Sequence, residues 1–160
     1  MDHCCHQNCS GCSGCSGGHK PSEVVLSRPQ AAFLSRFAQA PFLPLCRFLI
    51  RSSREDELES VGLDAVFMEN GADLDAVRST AALLNRLASL GLITLDYDLP
   101  LSNYDYTAYE TAPLFARFCE TVAEGARRPG FLFDTPVLEK GSMALTDLGR
   151  AVMEQVLELL

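Results

Sequence analysis

The first 22 residues contain a cluster of side chains suited to binding a metal. Five of the seven cysteines and all three histidines lie there. They are Cys4, Cys5, Cys9, Cys12 and Cys15, with His3, His6 and His19. Thiolates two residues apart can turn onto one soft cation, and the Ser-Gly pairs between them allow tight turns. The segment has no aliphatic residue beyond the initiator methionine, so it cannot bury a core. We therefore predict a flexible tail that becomes ordered on binding metal.

The cysteine spacing fits two kinds of metal centre. Cys4-x4-Cys9-x2-Cys12 matches the first three ligands of a plant-type iron–sulfur motif. The spacing from Cys5 through Cys9 and Cys12 to Cys15 is that of a bacterial ferredoxin motif read in reverse. The Cys-x2-Cys pairs also suit zinc, with histidine as nitrogen ligand. The excess of cysteine over histidine favours an iron–sulfur cluster, and a tail of oxidisable thiols without a functional metal is the alternative.

A helix is predicted from Asp73 to Leu90. Asp73 can cap its N-terminus, and Asp75 places a second carboxylate at the positive end of the helix dipole. At 3.6 residues per turn, a mainly polar face separates from a mainly apolar one. The apolar face comprises Ala76, Val77, Thr80, Leu83, Leu84, Leu87 and Leu90, and the polar face Asp75, Arg78, Ser79, Ala82, Asn85, Arg86 and Ser89. Gly91 ends the helix, and an extended run follows from Leu92 to Leu99.

Two motifs in this order resemble a known family. The run RSTAALLNRLASLGLI (78–93) resembles the recognition helix and following strand of winged helix-turn-helix proteins of the MarR type. The ending MALTDLGR (143–150) is similar to the second wing strand and closing helix of that family. The resemblance implies a small dimeric transcription regulator whose recognition helix enters the DNA major groove. The residues it implies for contacting DNA are Arg78, Ser79, Asn85 and Arg86.

The expected fold is mainly α with a small β-wing, hence α+β: one winged-helix domain over residues 23–160. Helical segments are expected near Pro29 and over Leu45–Ile50. A helix between Arg54 and Gly71 would be the first of the helix-turn-helix, although Gly62 weakens that prediction. The wing strands would be Leu92–Leu99 and the stretch containing Met143 and Leu145, and Thr146 would cap the closing helix.

About forty residues, roughly 99–139, separate the two wing strands in place of a short loop. A helix is predicted there from about Ala112 to Arg127. The insertion can be a packed elaboration, a dimer arm, or the wall of a ligand pocket built from Tyr104, Tyr106 and Tyr109. We favour the first, because tyrosines in such a context more often anchor loops. Cys46 and Cys119 lie in apolar surroundings and are interpreted as structural thiols.

Charge and missing motifs limit the function. The net charge of −8 disfavours DNA binding, because duplex DNA repels an acidic surface. The charges are segregated, however: every charged residue from Arg28 to Arg54 is basic and every one from Glu55 to Asp75 is acidic. No hydrophobic signal or membrane-spanning run is evident, which predicts a cytoplasmic protein. Familiar catalytic motifs are missing and all histidines lie in the tail, so we expect no enzyme.

Two functional hypotheses follow. The first is a winged-helix regulator that binds double-stranded DNA as a homodimer and responds to metal or redox state through its N-terminal cysteines. The alternative is an acidic winged-helix module that binds a protein partner, or an iron–sulfur or metal-carrying accessory protein, without binding DNA.

Overall fold

The computed structural model of the chain describes residues 24–68 and 73–159. The N-terminal cysteines and part of the predicted 54–71 segment lie outside the described residues. The elements in chain order are α1 (Arg28–Ser35) with a 3₁₀ turn (Arg36–Ala38), β1 (Phe42–Arg51), β2 (Glu59–Val66), α2 (Leu74–Ser89), β3 (Ile93–Asp96), α3 (Thr107–Glu110), α4 (Pro113–Ala126), β4 (Thr135–Leu145) and α5 (Asp147–Leu159). The α+β class is therefore confirmed. None of the described helices is long and apolar enough to cross a membrane.

The four strands form one antiparallel sheet in the order β2-β1-β4-β3. β1 and β4 pair along their length, from Phe42 opposite Ala144 to Arg51 opposite Thr135. β3 pairs with the end of β4, with Ile93 opposite Leu145. The two expected wing strands are thus adjacent. The residues between them contain the helix predicted from about Ala112 to Arg127, observed as α4, and a short helix, α3, that was not predicted.

Two predicted helices are wrong, because the structure has strands there. Leu45–Ile50 belongs to β1, and the segment from Arg54 to Gly71 contains β2. β1 is buried on both faces, so it shows no clean alternation, and a short apolar run of this kind is easily mistaken for a helix. The nearest described helix before α2 is consequently α1, and a β-hairpin separates the two.

Two hydrophobic cores lie on opposite sides of the sheet. The adjacent residues Leu45 and Cys46 are both fully buried but belong to different cores, as the alternation of a strand requires. The first core joins α1, α2 and α5 to the sheet, and the second lies between the sheet and the 99–139 insertion. Val77, near the start of α2, reaches the second core, whereas Leu84 and Leu87 farther along pack in the first. The beginning of α2 therefore meets the insertion.

The helix ends follow the capping chemistry predicted for them. The Asp73 carboxylate accepts a hydrogen bond from the Ala76 amide at 2.8 Å, and the Thr146 hydroxyl accepts one from Gly149 at 2.9 Å. A side chain at Gly149 would overlap the carbonyl of Leu92, so this glycine lets α5 lie directly against the start of β3. Gly141 has the same role on β4, where a Cβ would overlap the Asp96 carbonyl.

Candidate ligand-binding site

A cleft of about 1080 Å³ opens between β1–β2, the start of α2 and the insertion helices α3 and α4. Its lining combines aromatic and aliphatic side chains with polar ones from two arginines, an aspartate, two threonines and two tyrosines. The lining residues are Phe48, Ile50, Gly62, Leu63, Met68, Asp73, Leu74, Arg78, Tyr104, Ala108, Tyr109, Thr111, Ala112, Pro113, Leu114, Arg117, Phe118 and Thr121. The cleft has the size and lining of a small-molecule site, for which roughly 300–1,000 Å³ is usual.

Two phenylalanines line the cleft, Phe48 from β1 and Phe118 from α4, and Phe115 of α4 packs against Phe48. The ring of Phe48 on β1 lies 5.0 Å from that of Phe115 and 5.2 Å from that of Phe118, measured between centroids. Phe118 can come this close to β2 because residue 62 is glycine, since a Cβ there would overlap its ring. Gly62, which weakened the helix prediction for this segment, therefore allows α4 to pack on the strand.

Three tyrosines position α3 beside the cleft. The buried Tyr106 hydroxyl donates to the Gly141 carbonyl at 2.6 Å and accepts from the Leu101 amide at 2.8 Å. The Tyr109 hydroxyl accepts from the Met68 amide at 3.2 Å. The Tyr104 ring lies 5.0 Å from that of Tyr106 and faces the cleft. Tyr106 and Tyr109 therefore anchor loops. Tyr104 and Tyr109 also line the cleft, so the insertion is both a packed elaboration and the wall of a pocket.

The ionisable lining groups favour binding over proton transfer. Burial raises the pKa of Tyr109 and of Tyr104 above the usual value of 10.0, so both phenols stay protonated at neutral pH. Cys46 lies beneath the tyrosines with no exposed surface, and burial raises its pKa to about 12. The interpretation of Cys46 as a structural thiol is therefore confirmed.

Three charged residues line the cleft: Asp73 and Arg78 from α2, and Arg117 from α4. Asp73 is occupied as the N-cap of α2. The guanidinium groups of Arg78 and Arg117 make no hydrogen bond or ion pair with any residue in the described ranges 24–68 and 73–159. The positive charge of the cleft is therefore available to a ligand.

The four residues predicted to contact DNA are all exposed on α2, but they do not form one free surface. Arg78 lines the cleft, and the Asn85 side-chain amide donates to the Asp64 carbonyl of β2 at 3.4 Å. Ser79 and Arg86 lie on the outer side of the helix. One of these four side chains is thus hydrogen-bonded to the sheet, and another lines the cleft.

The predicted metal ligands Cys4, Cys5, Cys9, Cys12 and Cys15 lie outside the described residues. Among residues 24–68 and 73–159, no three His, Cys, Asp or Glu side chains come close enough together to hold a metal ion.

Sequence reasoning did not assign Arg117 or Gly62 to a site. Arg117 follows Leu114 by three residues and precedes Thr121 by four, and all three line the cleft. That spacing places them on one face of α4 beside its apolar stripe, which is a pattern visible in the sequence. The partner of that face is visible only in the fold.

Comparison of the chain with protein families, with curated proteins and with solved structures gave no match.

Proposed function

We propose that this protein binds a small, largely apolar molecule in the cleft between β1–β2, α2 and the insertion helices. The observation that carries the proposal is a cleft of about 1080 Å³ lined by the rings of Phe48 and Phe118. Burying an apolar molecule there removes its surface and that of the rings from water, which yields roughly 25 cal/mol for each Å².

The α2 helix connects this site to the rest of the molecule. Its first turns line the cleft through Asp73, Leu74 and Arg78, while Leu84 and Leu87 pack in the core on the other side of the sheet. A ligand therefore contacts the same helix that organises the first core. This arrangement suits a protein whose ligand alters how α2 is held, and a sensory role follows from the proposal.

The experiment is a titration with the neutral fluorophore N-phenyl-1-naphthylamine, whose emission rises in apolar surroundings. Ala108 is exposed and lines the cleft, so Ala108→Trp should fill the cleft without disturbing a core. We expect this variant to lose at least about tenfold in affinity, which is about 1.4 kcal/mol. Ala116→Trp is the matched control, because Ala116 is exposed on α4 and does not line the cleft. Equal affinity in the two variants, or no binding by the wild type, would contradict the proposal.

Recognition of double-stranded DNA by α2 is the second candidate, as the MarR-type resemblance implies. What favours it is the exposure of Arg78, Ser79, Asn85 and Arg86 on one helix that precedes two paired strands and a closing helix. The Asn85 bond to β2 and the net charge of −8 count against it. On this hypothesis the protein is a homodimer, and the N-terminal cysteines supply metal or redox control.

Fluorescence anisotropy with labelled duplex DNA over a range of salt concentrations tests this second candidate. Genuine phosphate contacts make affinity fall steeply as salt rises. Arg86→Gln should weaken binding, whereas Arg128→Gln, in the turn after α4, should not. Affinity that is absent at low salt, with the tail both metal-loaded and metal-free, would reject DNA binding. In that case the remaining hypothesis would be that the domain binds a protein partner.

A further inference from the structure

We infer that the ligand of the cleft is an amphipathic carboxylate: an apolar body with one anionic head group. This inference rests on the proposed function and specifies the chemistry of its ligand. It starts from Arg78 and Arg117, which reach the same cleft from different helices.

The availability of the two arginines is the first argument. The chain carries 21 acidic side chains against 13 Lys and Arg, so an arginine has an excess of potential partners. Arg47, Arg51 and Arg150 all pair with carboxylates in the structure. Arg78 and Arg117 have no such partner among the described residues; several other exposed arginines share this property, but only these two line the cleft. An anion entering the cleft would therefore meet two guanidinium groups without displacing an existing bond.

The charge balance of the described lining is the second argument, and it favours a ligand with a single negative charge. Asp73 is the only acidic residue of the described lining, so the two arginines leave one net positive charge. That excess matches a monoanion, whereas a dianionic phosphate would leave a negative charge uncompensated. A planar carboxylate also fits the fork of N–H donors that a guanidinium presents.

The location of the rings relative to the charges is the third argument. Phe48 and Phe118 form the base of the cleft, whereas Arg78 and Arg117 are exposed to solvent. A molecule with its apolar body on the rings and its carboxylate at the arginines keeps its charge hydrated while its body is buried. Such a molecule avoids most of the desolvation cost of a buried ion.

The test compares three molecules with the same ten-carbon body: decanoate, decanol and decyltrimethylammonium. Each is added, below its micelle-forming concentration, to protein carrying N-phenyl-1-naphthylamine, and displacement gives the affinity. We expect decanoate to bind about tenfold more tightly than decanol, the equivalent of about 1.4 kcal/mol, and the cation to bind most weakly. The preference should shrink as salt rises, because the head group is exposed.

The double variant Arg78→Gln/Arg117→Gln should bind decanol as the wild type does and lose the preference for decanoate. Arg128→Gln, which does not line the cleft, should retain it. Circular dichroism and a melting curve for each variant establish that it is folded. Equal binding of decanol and decanoate by the wild type, or a preference that survives in the double variant, would overturn the inference while leaving a ligand-binding cleft. Failure of the neutral fluorophore to bind at all would instead reject the proposed function.

Discussion

Replacing Tyr106 with phenylalanine should detach part of the insertion from the sheet. The hydroxyl of Tyr106 joins two backbone groups, the Gly141 carbonyl of β4 and the Leu101 amide of the insertion. Its side chain is only 5% exposed, so water cannot replace the lost bonds without a local opening. The ring remains, so the change isolates the hydrogen bonds from the aromatic packing.

The size of the effect follows from the number of bonds. Each net hydrogen bond contributes about 0.5–1.5 kcal/mol, so Tyr106→Phe should lower the free energy of unfolding by roughly 1–3 kcal/mol. Tyr109→Phe removes one bond, to Met68, and should cost about 1 kcal/mol. Tyr104→Phe removes none among the described residues and should change stability by less than about 0.5 kcal/mol.

Urea denaturation followed by far-UV circular dichroism measures these differences, since the chain has no tryptophan to report by fluorescence. In a melting experiment each kcal/mol should lower Tm by about 2–4 °C for a chain of this size. From most to least stable, the variants should rank Tyr104→Phe, Tyr109→Phe and Tyr106→Phe. Equal stability of the Tyr106 and Tyr104 variants would refute the assignment of Tyr106 as the anchor of the insertion.

Three further predictions concern other parts of the chain. Gly149→Ala and Gly141→Ala should each lower the free energy of unfolding by about 3 kcal/mol in urea titrations, the upper end of the usual range for overpacking, because the added Cβ overlaps backbone. Gly125→Ala should be far milder, since it meets only the movable Phe131 ring. Burial raises the pKa of Cys46 from 9.0 to about 12. Between these two values the native state keeps a proton that the unfolded state releases. The free energy of unfolding should therefore fall by up to about 1.4 kcal/mol per pH unit as the pH rises from 9 towards 12. Cys46→Ala should lessen that slope in urea titrations at pH 8 and 10, and an unchanged slope would contradict the assignment. The N-terminal tail should bind metal through at least three of Cys4, Cys5, Cys9, Cys12 and Cys15. Metal analysis and a visible spectrum after anaerobic purification test this, and a metal-free protein that is unaffected by changing Cys9, Cys12 and Cys15 to serine would refute it.

The helices with long amphipathic patterns were predictable, and the segments buried on two sides were not. α2, α4 and α5 each combine an apolar stripe with a cap or an N-terminal proline, so pattern and chemistry agree. β1 packs in both cores, which removes the alternation that identifies a strand. The error extended to β2, where an approximate helical stripe of Leu58, Val61, Ala65 and Met68 agreed with the first helix of an expected helix-turn-helix.

The cleft could be predicted only in part for a related reason. Its tyrosines were visible as a group, and Tyr104 and Tyr109 do line it. Its other components come from β1, β2, α2 and α4, which are far apart along the chain. Arg78 and Arg117 line the same cleft because of the way α4 packs across the sheet, and the pattern within either helix does not specify that packing.

The sheet separates two cores whose backbone amides should differ in their protection against hydrogen exchange. Only Val122 of α4 is buried, whereas α2 buries Val77, Ala81, Leu84 and Leu87, the last two in the first core. Elements with few buried contacts open at a lower free energy than the whole molecule does. Backbone amides of α3 and α4 should accordingly exchange their hydrogens with solvent sooner than those of α2 and β4. Each such opening would separate Phe115 and Phe118 of α4 from Phe48 of β1, and would thus widen the cleft while the first core stays folded.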